Sequence, residues 1–217
     1  MTMHGAPMAL LTDYASGSAT PGLSLLVASH LTYAPSARAK VAEMERLGGA
    51  LLRDAKPRDV GSDLLARTLG KLDHLPCARA EARVTPRHTH DDELDRMPAP
   101  LRRALNGTAP RWRFRLPGVS EAVLDSFEGE HVSLLRARPG AKIPQHTHEG
   151  REVTLVMQGA LADGDRVFKA GDVAVNDEDD DHHPSIVGEE TCVCLIVMEG
   201  SLRFTGRFSR ALNLLGE

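Results

Sequence analysis

Two apolar periods divide this chain, and a proline-rich stretch with neither period separates them. Across residues 1–75 apolar side chains recur at helical spacing. Thr20 before Pro21 reads as an N-cap followed by proline at the first helical position, where its missing N–H is no loss, and Leu23, Leu26, Val27, His30 and Leu31 then share a face. A run over 35–53 puts Val41, Met44, Leu47 and Leu51 on one stripe, and a run over 62–75 does the same with Leu65, Leu69 and Leu72. With a short opening helix over 9–15, these predict a small helical bundle. Residues 76–110 carry Pro76, Pro86, Pro98, Pro100 and Pro110 among charges, the composition of a linker, with one helical turn expected over 101–105. From residue 111 the runs become short and strand-like: "VSLLRAR", "EVTLVMQG", "DRVFKAG", "DVAVN", "CVCLIVM" and "LRFTGRF", each bounded by Gly, Pro or acidic turns. Residues 111–217 are therefore expected to form an antiparallel sandwich or barrel, and the whole chain an α+β multidomain protein.

A bundle this small cannot cover its own apolar stripes. Leu23, Leu26, Val27, Leu31, Val41, Met44 and Leu47 are accordingly expected to face another polypeptide. Net charge is -4, and no Lys/Arg block forms a phosphate-binding stripe, so direct nucleic-acid binding is not expected. The stretch "GLSLLVA" is too short to span a bilayer, which argues against a membrane anchor or a secretory signal. Cys77, Cys192 and Cys194 make no disulfide framework, as suits a reducing cytoplasm. Cys192 and Cys194 alternate around Val193 and point the same way on a strand. They read either as a redox pair or as two small buried hydrophobes, and the strain of an i,i+2 disulfide favours the second.

The tripeptide His-Thr-His occurs twice. His146 and His148 lie in a strand-type region, where residues i and i+2 share a face, and Glu152 opens the next strand after a turn at Gly150. His88 and His90 follow Pro86 with Leu94 where a carboxylate would be needed, and read as solvated linker histidines. The acidic run over 176–181, "NDEDDD", reads as a solvated turn, from which one carboxylate could orient a ligand histidine.

Gly140, His146, His148, Glu152 and Gly159 reproduce without a gap the spacing Gly-x5-His-x-His-x3-Glu-x6-Gly, which resembles the first motif of the cupins. "KAGDV" over 169–173 resembles the Pro-x-Gly-Asp turn of the second motif, with Lys169 in place of Pro. The resemblance implies a double-stranded β-helix barrel holding one divalent metal on His146, His148, Glu152 and a later histidine. That histidine is His182 or His183, and His182 is preferred because it stands where cupins often carry His-x-Pro. Zinc is the expected metal, with Fe, Mn and Ni as alternatives.

The segments "ALLTDYASG" over 9–17 and "LLVASHLTYAPSARAK" over 25–40, placed before a metal-type cupin, resemble the ChrR-type anti-sigma factors. That resemblance implies a cytoplasmic regulator whose helical domain binds and inhibits an extracytoplasmic-function sigma factor and whose cupin responds to stress. Its zinc pattern, His-x3-Cys-x2-Cys, reads here His30, Ala34, Ala37, with His4 the nearest remaining histidine at the start. One or two imidazoles without sulfur should not retain structural zinc. Rival readings are a cupin metalloenzyme, such as a dioxygenase, isomerase or hydrolase, and a ligand-sensing cupin with an interaction bundle. A homo-oligomer is left open.

Overall fold

The structure, a computed structural model, describes residues 4–73, 92–127 and 129–206. Cys77, His88 and His90 lie outside the described residues. Among the described residues six helices come first: α1 (Met8–Ser16), α2 (Pro21–Tyr33), α3 (Pro35–Asp54), α4 (Leu64–Asp73), α5 (Asp92–Asp95) and α6 (Ala99–Ala104). The strands follow as β1 (Arg113–Leu116), β2 (Val119–Val123), β3 (His131–Ala137), β4 (His146–His148), β5 (Glu152–Gln158) and β6 (Ala160–Asp163). The rest are β7 (Arg166–Lys169), β8 (Val173–Asn176), β9 (Ser185–Val187), β10 (Cys192–Met198) and β11 (Leu202–Phe204). They form a six-stranded sheet ordered β1-β2-β3-β10-β5-β8, a three-stranded sheet β7-β6-β9 and a pair β11-β4, all antiparallel.

The central strands of the large sheet are buried on both faces, which explains why "CVCLIVM" and "EVTLVMQ" read as unbroken apolar runs. Alternate residues Val193, Leu195 and Val197 of β10, with Val153, Leu155 and Met157 of β5, join the helices in one core. The opposite residues, Cys192 and Cys194 of β10 and Val156 of β5, pack with Leu161, Phe168 and Ile186 of the small sheet inside the barrel.

Two expectations change here. Leu23, Leu26, Val27 and Val41 do not face outward: at 0–4% exposure they are buried by the chain itself, because α2 lies on the outer face of the large sheet. The stretch expected to be a linker is also not uniformly loose. In its described part Met97 and Leu101, on and before α6, are buried in that same core, so helices and barrel share a continuous interior rather than two.

Two turns cross at one end of the barrel. Gly150 (φ +110) and Gly200 (φ +93) sit back to back, and a Cβ on them would lie 2.3 Å from the Glu199 carbonyl oxygen and 1.7 Å from that of Glu149. Neither position accepts a side chain without moving backbone. We expect Gly200→Ala to lower stability by about 2 to 3 kcal/mol in urea unfolding, combining a left-handed strain with the clash.

Glu121 on β2 accepts from Arg115 Nε at 2.6 Å and lies 3.0 Å from His131 Nε2. Burial alone would raise its pKa, but hydrogen bonds from His131, Ser133 and Arg115 hold it at about 2, below the ordinary 4.5. A depressed carboxylate contributes stability that is present above its unfolded pKa and lost as pH falls through the folded one. Unfolding free energy should therefore drop between about pH 4.5 and 2 by on the order of 1 to 2 kcal/mol on this account, after discounting for the exposed Arg115. Urea titrations of Glu121→Gln should show a flatter acid limb.

Candidate metal centre

β4 presents His146 and His148 on one side of the strand, both 2% exposed. A separate antiparallel bridge brings in the third ring: His146 N–H donates to the His182 carbonyl at 2.9 Å, and His182 N–H returns a bond at 3.0 Å. The ligand atoms of His146, His148 and His182 lie within 4.8 Å of one another, the one such cluster among the described residues. His183 is exposed beside them, so the pairing of His182 with β4 selects between the two candidates.

Each outer ring nitrogen is held by an acceptor. His146 Nδ1 lies 2.7 Å from the Pro144 carbonyl, and His182 Nδ1 lies 2.8 Å from Asp163 Oδ2. With those N–H groups pointing outward, both rings turn Nε2 inward as lone pairs. His148 Nε2 lies 3.0 Å from His182 Nε2, while His148 Nδ1 is buried with no hydrogen-bond partner among the described residues. Burial, with neighbouring imidazoles adding to it, lowers both His146 and His148 to about 4, so both are neutral imidazoles at pH 7. For His182 burial is the largest single effect and acts in the same sense, but the bond to Asp163 together with the charges of Asp163, Glu152 and Asp180 outweighs it, and the pKa is raised. Two buried neutral imidazoles, a third ring held by Asp163 and an orphaned nitrogen converge in a way that fits a divalent cation, and this cluster can hold one.

Glu152 heads β5 on the inner face and is 8% exposed. It accepts from the Thr154 hydroxyl at 3.1 Å and stands 3.8 Å from His148 Nδ1, beside the three-histidine cluster rather than within it. Burial pushes its carboxyl above the usual range. Sequence reasoning missed Asp163, which lies in "ALADGDR" and there looks like an ordinary Asp-Gly turn residue. The acidic run supplies no such partner: Asp181 bonds Gln145 and Thr205 instead. The Cys192 and Cys194 sulfurs lie 3.5 Å apart inside the barrel, and the bond from Cys192, then burial, push the Cys194 thiol well up, which suits small packed hydrophobes.

The N-terminal residues do not fit a metal. His30 is fully buried with Nδ1 2.9 Å from the Gly171 carbonyl and Nε2 receiving the Ala6 N–H at 3.4 Å. Ala34 and Ala37 are core residues, and the His4 ring packs on Phe168 with centroids 4.9 Å apart.

Fold and site together define a cupin-type barrel with a three-histidine centre and a helical front docked on its large sheet. A family profile described as the ChrR cupin-like domain matches residues 103–202. The chain is 35% identical over 206 residues to anti-sigma-E factor ChrR of Cereibacter sphaeroides, covering 93% of this chain and 92% of that one. The crystal structure of Rhodobacter sphaeroides SigE in complex with the anti-sigma ChrR aligns with a TM-score of 0.74 at 31% identity, covering 90% of this chain and 98% of that chain. This chain belongs to the ChrR family of anti-sigma factors.

Proposed function

We propose that this chain captures a sigma factor of the extracytoplasmic-function class through α3 and α4 and so keeps it from initiating transcription. The observation that carries this is a leucine surface the chain does not cover. Leu47, Leu51, Leu65, Leu69 and Leu72 are all more than half exposed and recur at helical spacing, and residues 64–69 of α4 are exposed throughout. Such exposed stripes on two successive helices suit a helix-in-groove partner. Of the residues expected from sequence to meet the partner, Leu47 stays exposed and Leu31 and Met44 are partly so. The name of the ChrR relative and its complex with SigE point to the same class of partner.

The barrel would hold one divalent ion on His146, His148 and His182, with Glu152 as a fourth donor. Zinc is our first assignment against Fe, Mn and Ni. When bound, the ion ties β4 to the 182 bridge; Asp163 and the Pro144 carbonyl keep two rings aimed at it. A stress that alters this centre would change the contacts between barrel and helices and free the partner. An enzymatic role for the barrel is not favoured, because the regulator likeness runs through the helices as well. Among the described residues no helix is long and apolar enough to cross a membrane, and a cytoplasmic site of action is part of this reading.

The test is co-expression with extracytoplasmic-function sigma factors of the source organism, pull-down, and run-off transcription from a promoter of the one retained. An equimolar amount of this chain should silence the promoter. Undiminished transcripts at about tenfold excess, with folded protein, would sink the proposal.

A further inference from the structure

The zinc clip that the family resemblance implies at the front of the chain is incompatible with its residues, since His30 has both ring nitrogens engaged and positions 34 and 37 are apolar. We infer that a clasp on the barrel replaces it. Glu130 and the Gly171–Asp172 turn hold the helical front in place, so that its order depends on the barrel and on no metal.

Three anchors make the clasp, and each joins residues more than a hundred positions apart. At the start of α2 the Glu130 carboxylate accepts the Thr20 hydroxyl and, at 2.8 Å, the Gly22 N–H. Thr20 occupies the N-cap position yet makes no cap bond to its own helix; the carboxylate satisfies the helix end in its stead, with favourable charge against the helix dipole. Glycine permits the approach, because a Cβ at position 22 would lie 2.7 Å from Val132 Cγ2. Near the end of α2, the His30 ring bridges three parts of the chain. Its Nδ1–H donates to the Gly171 carbonyl and its Nε2 accepts from Ala6, which ties helix, N-terminal segment and barrel turn through one neutral imidazole.

The third anchor is backbone. His4 N–H donates to Asp172 Oδ1 at 3.0 Å and its carbonyl accepts the Val173 N–H at 2.8 Å, so residue 4 is tied to the start of β8. Asp172 Oδ2 meanwhile accepts the Lys169 N–H at 2.8 Å, which stiffens the turn that carries the anchors. Between these points Leu23, Leu26 and Val27 are packed in the core shared with β5 and β10. The Gly-Asp pair that marks the second cupin motif is thus occupied in gripping the helices. β8 then runs from this turn to Asn176, the partner of Glu152, so clasp and metal centre sit at opposite ends of one strand.

Hydrogen exchange on the full chain tests this, with Glu130→Ala and Gly22→Ala each compared with the parent. Amides of α1 and α2 should exchange at least about tenfold faster while β3, β5 and β10 stay protected. Helical exchange unchanged within about twofold in both variants overturns the clasp. Should either variant unfold throughout, the parent decides: excess EDTA is expected to leave α1 and α2 protected, and their selective exposure on chelation would show that a metal holds them. Zinc titration of full-length His182→Ala is expected to find no tight site, whereas one retained equivalent would mean a front site exists. A parent that binds no zinc at all removes the metal reading of the barrel but supports the clasp if its α1 and α2 amides stay protected.

Discussion

Leu51→Asp combined with Leu69→Asp should weaken binding of the sigma factor by about a thousandfold, measured by calorimetry. Each leucine is more than half exposed, on α3 and α4 respectively, and makes no part of the core. Burying such a side chain in a partner contributes about 1.5 to 3 kcal/mol, and a carboxylate in its place adds a desolvation cost, so two sites together exceed about 4 kcal/mol. The fold should be untouched, with a thermal midpoint near the parent's. Leu26→Asp provides the contrast: fully buried against the sheet, it should unfold the front instead of acting on the partner alone. A folded double variant that keeps its affinity would place the docking surface elsewhere.

His146→Ala and His182→Ala should each cost about a thousandfold or more in metal affinity, because a three-imidazole cluster reduced to two no longer encloses a cation. Competition with a chromophoric chelator reads this directly. Asp163→Asn should cost only about tenfold to a hundredfold, since it loosens the aim of His182 without removing the ligand. Equal losses in all three variants would argue that the barrel, rather than the centre, had been damaged. Circular dichroism of the unmetallated proteins separates these cases.

The helix starts were legible because they depend on neighbours in sequence. Proline at the first turn placed α2 at residue 21, the apolar stripe placed α3 at residue 35, and short apolar runs bounded by turns placed β5, β8 and β10 within a residue of where they stand. The short strands β1, β2, β6 and β9 were not legible, each being three to five residues whose extended form is imposed by pairing. His146 and His148 were readable from their i,i+2 spacing, whereas His182 came only from the cupin resemblance, which left His183 open; the bridge between His146 and His182 is what makes the three one cluster. Asp163 was not readable, because its partner is nineteen residues away and its local context is a plain turn.

The use of the apolar surface marks the boundary. Periodicity alone established that α2, α3 and α4 each carry an apolar stripe and that the chain turns from helix to strand after residue 110; motif resemblance singled out two histidines and a glutamate as candidate ligands. Neither said which stripe would be covered. The tertiary structure decides it: α2, bonded to Glu130 and to Gly171, is buried on the outer face of the sheet, while the leucines of α3 and α4 stay exposed. Spacing reports which side chains share a face; only closure of contacts a hundred residues apart determines what that face meets.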